Sequence, residues 1–335
     1  MQNGAQISEG AAPPVDTIAN GDRSLQTLLT RQLQEDLGGA GFPNGDRGGT
    51  LLCICDFSGA HRSALFNTYA FLSLDLDRCG WWLDGQRAFR RDTLRNGRRL
   101  SFKALNDRER RKVLPLFLRA ASAIDGALKV VAVAKGVGSI FVQSESTKEK
   151  EALLAPWKPN VHEHLLRITH LGALFVAPTT KPRQNVYWIA DQDEIASNER
   201  QLRALTNLSG RVWAHILKHD LGHIRIGTTW SDDGSLALED LAAITDFAAG
   251  SMCEAISAMV RQGVFPVPGI VNRLPVGLTN KTEFLLQWLS STDCPLRRTI
   301  IAIDEPPNTR RPRLTKLSIQ PIPNLIEQLG RGCLA

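Results

Sequence analysis

No stretch of this sequence reaches about 18 uninterrupted apolar residues, so a membrane-spanning helix of that kind is not written into it. Aromatic side chains are few, with 12 Phe, 7 Trp and 2 Tyr among 335 residues, which argues against a surface built mainly as an aromatic platform. The six cysteines (Cys53, Cys55, Cys79, Cys253, Cys294 and Cys333) form no CxxC pair, which speaks against a zinc site or a disulfide framework. Cys53 and Cys55, two apart in an apolar run, are expected on one face of a strand as small buried residues. GxxxxGK[ST], GxSxG and GxGxxG are all missing. The first residues show no basic region followed by an apolar stretch, so no secretory leader is expected and the cytoplasm is the expected setting. No membrane partner is expected.

What is present is globular: 43% hydrophobic and 22% charged residues, at a length that suits one large domain or two smaller ones. Forty Lys and Arg against 34 Asp and Glu give a net charge of +6, a lean toward polyanions. The basic residues are clustered. Arg87, Arg90, Arg91, Arg95, Arg98 and Arg99 precede Lys103, Arg108, Arg110, Arg111 and Lys112, and a second group holds Arg310, Arg311, Arg313 and Lys316. These are either solvated helix faces or a groove that tracks phosphates. On the second reading, the six arginines from Arg87 to Arg99 contact DNA or RNA.

Periodicity predicts a tail over 1–22, a helix over 25–37 and a Gly-rich break over 38–49. Strands follow at 51–56, 66–74, 100–104 and 128–134. Residues 81–91 read as a helix or an irregular excursion. A helix at 107–121, capped by Asn106 or Asp107, would bury Val113, Leu114, Leu116 and Phe117. Helices at 161–175, 199–217 and 238–261 alternate with strands at 185–190 and 223–229. A short helix at 283–289 and strands at 297–303 and 313–319 close the chain. This pattern specifies an α/β protein with a mixed sheet flanked by helices. Its expected divisions are the tail, an N-terminal helix and linker over 23–49, a main domain over 50–262, and a C-terminal extension over 263–335 that packs on the core and offers a surface to a protein partner.

Three carboxylate positions interrupt apolar elements. Asp56 ends the first strand on the face of Leu52 and Ile54. Asp191 ends a later strand on the face of Tyr187 and Ile189, with Asp193 two residues on. Asp246 lies in the long helix on a stripe with Ala249, Gly250, Cys253 and Ser257, small residues that suit close packing on a sheet. Each acid alone is equally a turn cap, a solvated loop residue or the partner of an arginine. Gathered together, such acids suit Mg²⁺ or Mn²⁺, which take oxygen ligands. The histidines compete poorly: His162, His164 and His170 read as a surface helix, and His215, His219 and His223 as an exposed helix end. His219 and Asp220 are reserve candidates for acid–base work.

The stretches Cys55-Asp-Phe-Ser-Gly59, Leu100-Ser-Phe-Lys-Ala-Leu105 and Ile244-Thr-Asp-Phe-Ala-Ala-Gly250 resemble the signature segments of a bacterial and phage family with an RNase H-like fold, catalogued as a domain of unknown function. The resemblance covers residues 50–262 and implies an RNase H-like mixed sheet with N- and C-terminal additions. It implies Asp56, Asp246 and Asp191 (or Asp193) as catalytic, metal-ligating acids, Lys103 as a catalytic cation, and a metal-dependent nuclease or related phosphoryl-transfer enzyme. Phe57 departs from it, standing where the family has Glu. If that Glu is a ligand, this chain is a catalytically weakened nucleic-acid-binding or assembly module, unless Glu239 or Asp240 compensates. Asp56-Phe-Ser-Gly59 also resembles the phosphate loop of sugar kinases and actin-like ATPases, with its spacing shifted by one.

Overall fold

In the computed structural model, the described residues are 48–94, 97–138, 148–190, 194–265, 269–306 and 312–320, together with 31, 32 and 35. The predicted tail, most of the predicted N-terminal helix, Arg95, Asp191, Asp193, Arg310, Arg311 and Cys333 lie outside them. The elements in chain order are β1 (Thr50–Ser58), β2 (Phe66–Asp75), α1 (Gly80–Thr93), α2 (Arg108–Ser122), β3 (Gly126–Ala134), α3 (Lys148–Leu154) and α4 (Pro159–Val176). Then come β4 (Asn185–Ala190), α5 (Glu199–Ile216), β5 (Ile224–Thr228), α6 (Ala237–Arg261), β6 (Ile270–Val271), α7 (Asn280–Ser290), β7 (Arg297–Asp304) and β8 (Arg313–Ile319).

The strands form one sheet in the order β5-β4-β1-β2-β3-β7-β8-β6. β1, β2 and β3 are an antiparallel meander, while β4 adds parallel to β1 and β5 parallel to β4. β1 sits inside the sheet with both faces covered, which is why Leu51-Leu-Cys-Ile-Cys55 is apolar without alternation. Helices cover the two faces separately. Leu52 and Ile54 pack with α1, α2, α6 and α7, whereas Leu51, Cys53 and Cys55 pack with α4 and α5. Cys53 and Cys55 are buried thiols on one face, as their spacing predicts.

Helix α6 matches the length and apolarity of a membrane span, but 78% of its most apolar window is buried inside the protein. Its small residues let it lie close to the sheet. The Thr68 hydroxyl donates to the Ala249 carbonyl at 2.8 Å, and the Leu65 N–H donates to the Ser257 hydroxyl at 3.1 Å. At Gly250 a Cβ would come within 2.5 Å of the Phe102 ring, so only glycine fits there.

Three local expectations change. Residues 100–104 form no strand. Phe102 instead donates its backbone N–H to Asp246 and accepts at its carbonyl from Lys281, and a 3-10 turn (Lys103–Asn106) follows. Asp107 does cap α2, accepting from the Arg110 N–H at 3.0 Å, but Leu116 faces outward at 45% exposure. Leu118 and Ala121 take its place in the core. The C-terminal extension does not merely rest on the main domain: β7 pairs parallel with β3, and β8 pairs antiparallel with β7, widening the same sheet.

Candidate functional site

Asp56 stands two residues before the end of β1. Strand alternation puts it on the face of Leu52 and Ile54, the face that α6 covers. The chain turns at Gly59, whose φ of +108° is in the left-handed region and where a Cβ would meet the Phe66 carbonyl at 2.2 Å. Helix α6 crosses this strand end. Thr68, the register partner of Ser58, bonds Ala249, which lies one turn beyond Asp246. Asp56 and Asp246 therefore belong to the same face and the same end of the sheet, and both are only partly buried.

Each carboxylate is oriented by a backbone donor. An Asp56 oxygen accepts from the Phe57 N–H at 2.6 Å, and an Asp246 oxygen accepts from the Phe102 N–H at 2.6 Å. Phe102 is itself fixed from three sides. Its ring covers Gly250, its carbonyl accepts from Lys281 at 3.0 Å, and the Lys281 ammonium lies 4.1 Å from its ring centre. Lys103, the next residue, is exposed, and no hydrogen bond or ion pair engages its side chain among the described residues. Sequence reasoning placed the segment of Phe102 at the site but missed Lys281 and the Phe102 backbone, because these contacts join residues 144 and 179 positions apart.

Glu239 and Asp240 are committed elsewhere. Asp240 is fully buried and pairs with the Arg90 guanidinium, while Gln86 donates to it at 2.7 Å. Burial pushes the Asp240 carboxyl up, and Arg90 and Gln86 oppose that shift. Glu239 pairs with Arg99 at 3.2 Å. Neither compensates for a lost ligand beside Asp246.

The same pairs correct the reading of Arg90 in the arginine cluster. Arg90 is buried and structural, not a surface contact for phosphate. Arg87 lies 3.6 Å from Asp84, Arg91 2.9 Å from Asp92, and Arg98 3.2 Å from Asp107. Unlike Arg90, these three and Arg99 keep 43–72% of their side chains exposed beside those carboxylates. In the second basic group, Arg313 is paired with Asp304 at 2.5 Å.

Phe57 points the other way. Its ring meets His164 edge-on at 4.0 Å between centroids, on the α4 side of the sheet. His164 is therefore not the surface residue its spacing suggested. Its Nδ1 is 3.0 Å from the Tyr69 hydroxyl, and its Nε2 is buried with no partner. Burial, helped by Arg167, pushes the His164 pKa down to about 4, and burial pushes Tyr69 up to about 12. His219 bonds Thr180 at 3.0 Å, and His215 and His223 are exposed.

Among the described residues, no group of three or more His, Cys, Asp and Glu is placed to hold a metal ion. The two described acids of the site supply oxygen donors only, which is the donor chemistry that Mg²⁺ and Mn²⁺ take. Comparison with protein-family models, with curated proteins and with solved structures finds no match to this chain. Fold and site together define an α/β protein with two backbone-oriented carboxylates at one end of its mixed sheet.

Proposed function

We propose that this chain is an RNase H-like, divalent-metal-dependent nuclease or related phosphoryl-transfer enzyme acting on DNA or RNA in the cytoplasm. One observation carries the reading: Asp56 at the end of β1 and Asp246 on α6 share one face and one end of the sheet. The strand layout supports it as well. The antiparallel β1-β2-β3 meander with β4 and β5 added in parallel beside β1 is a mixed sheet flanked by helices, the architecture that the RNase H-like resemblance implies. Among the described residues Cys53, Cys55, Cys79, Cys253 and Cys294 form no disulfide, which suits a reducing compartment.

Asp56 and Asp246, with Asp191 or Asp193 after β4, are the residues that would hold Mg²⁺ or Mn²⁺. Such an ion, when bound, supplies an activated water and neutralises charge on the scissile phosphate. The Phe102 N–H fixes the direction of the Asp246 carboxylate. Lys103, exposed and unengaged, offers a positive charge to the phosphate. The rival reading, a weakened binding module, drew on Phe57 standing in place of Glu. That side chain lies on the opposite face against His164, so its identity removes no ligand from the face of Asp56.

The test is cleavage of DNA and RNA substrates in Mg²⁺ and in Mn²⁺. Asp56→Asn and Asp246→Asn should each lower the rate by about 100-fold or more at unchanged thermal stability. Retention of activity by both variants, or an inert wild type with either ion, would reject the proposal.

A further inference from the structure

The described arginines on and after α1 each stand beside a carboxylate. Cations meet without one at the turn between β1 and β2, residues 59–65. There the His61 carbonyl accepts from the Lys135 ammonium at 2.8 Å, and the Ser63 carbonyl accepts from the Arg261 guanidinium. Arg62, between those two residues, is exposed, and no hydrogen bond or ion pair engages its side chain among the described residues. Lys135 directly follows β3, and Arg261 is the last residue of α6. Three permanent charges from three parts of the chain therefore converge on three consecutive residues.

A carbonyl oxygen satisfies an N–H donor but does not cancel its charge. The acids of neighbouring elements are held elsewhere. Glu254 of α6 accepts from the Thr282 hydroxyl at 2.5 Å, and Asp304 at the end of β7 pairs with Arg313. Glu305, exposed beyond β7, forms an ion pair with none of the three cations. Like charges gathered on one turn repel one another, and an anion removes that cost. His61 adds a donor: its Nδ1 lies 2.9 Å from the Ser63 hydroxyl, and its Nε2 has no partner among the described residues.

The turn opens at the sheet end that carries the acids. It starts three residues after Asp56, and α6 runs from Asp246 past it, bonding Thr68 through Ala249 and Leu65 through Ser257. Arg261 is 15 residues beyond Asp246 on α6, a rise of about 22 Å. That is about six nucleotide steps of 3.4 Å along a duplex strand.

We infer that this turn seats the sugar–phosphate backbone of a nucleic acid away from the scissile position, with Arg62 on a phosphate and Lys135 and Arg261 as fixed charges beside it. Exposed permanent cations on a braced turn take a phosphodiester without reading its bases, and a guanidinium offers it paired donors. The shared sheet end favours this occupant over an acidic protein. The inference rests on the nucleic-acid reading above, and binding without turnover tests it separately.

The experiment is fluorescence anisotropy in metal-free buffer with a labelled DNA duplex, a single-stranded DNA and a single-stranded RNA, each with and without polyglutamate as competitor. Arg62→Gln should weaken binding about fivefold or more on whichever of these the wild type binds. It should also make the salt dependence shallower by about one phosphate contact. Its unfolding midpoint should equal or exceed that of the wild type, because a repelling charge is gone. Arg203→Gln is the same charge change on α5, where Arg203 pairs with Glu199 at 3.2 Å, and should stay within about twofold. Equal losses from the two variants, or wild-type binding by Arg62→Gln, would overturn the seat and leave the nucleic-acid reading standing. Polyglutamate that competes as well as DNA at equal charge would overturn it in favour of an acidic protein. A wild type that binds none of the nucleic acids overturns both. Binding that depends on Arg62, without cleavage in Mn²⁺, sustains the seat and rejects the nuclease alone.

Discussion

Asp56 and Phe57 are neighbours in the chain yet serve opposite sides of one sheet. On the α6 side, two carboxylates sit half-buried at the strand end, each held by a backbone N–H. On the α4 side, Phe57, Tyr69 and His164 pack together, and burial shifts both titratable groups toward their neutral forms. The first arrangement keeps charge at the solvent boundary, where it stays hydrated. The second removes charge and gains packing. A one-residue step along a strand changes the face, so a missing carboxylate at position 57 says nothing about the site at position 56. Even on the α6 side the acids differ in kind. Asp240 is sealed against Arg90, while Asp246 rests on a peptide N–H.

Phe57→Glu breaks this comparison most directly. If residue 57 belongs to the packed side, a carboxylate there is forced against the His164 ring. The variant should lose about 2–3 kcal/mol of stability, the order of a poorly compensated buried polar group. Urea unfolding measures the loss, and Mn²⁺ titration should give the wild-type affinity. A tighter Mn²⁺ affinity at unchanged stability would instead place residue 57 at the acids.

The next effect sharpens the comparison through pH. His164 has a folded pKa of about 4, below the ordinary histidine value of 6.5. The unfolded chain therefore takes up a proton on acidification before the folded one does. Stability is complete above about pH 6.5 and falls progressively as pH drops toward 4. Between pH 7 and 5 the loss should be about 1–2 kcal/mol, allowing for the ring's partial exposure. His170, also lowered by burial, adds in the same direction. Denaturant melts of wild type and His164→Gln at the two pH values test this. An unchanged pH dependence in His164→Gln would show that His164 is not the proton-sensitive group.

Local pattern made much of this architecture legible. β1, β2, β4 and α6 follow from apolar runs and from a stripe of small residues, and Asp56 stood out because it ends such a run. What local pattern does not carry is partnership at long range. Arg90 looks like one more surface arginine until Asp240, 150 residues on, closes over it. Helix α4 is apolar over most of its circumference, so nothing in its spacing shows that His164 faces Tyr69. Leu100, Phe102 and Leu105 look like strand residues because they are apolar and closely spaced. They bury their side chains in a turn whose polar backbone is satisfied by Asp246 and Lys281, from two distant helices.

The smallest expected effect concerns that turn and separates positioning from stability on the α6 side. Lys281 touches neither acid. It holds the Phe102 carbonyl and ring, and Phe102 gives its N–H to Asp246. Lys281→Met keeps a flexible apolar stem against the ring but removes the donor and the charge. Half-buried contacts of this kind contribute about 1 kcal/mol or less, so the unfolding midpoint should move by only about 2–4 °C. The geometry of Asp246 should move more. The Phe102 amide should exchange with solvent faster in Lys281→Met, by about fivefold or more, as its hydrogen bond to the carboxylate opens. Lys281→Arg, which restores donor and charge over the ring, should recover the slow exchange. Cleavage should follow the same order, lowest in Lys281→Met and regained in Lys281→Arg. Fast exchange confined to the turn would establish that α7, in the C-terminal extension, sets the direction of Asp246. Wild-type exchange at Phe102 in Lys281→Met would show that the turn holds the carboxylate unaided, and that the extension contributes only sheet and core.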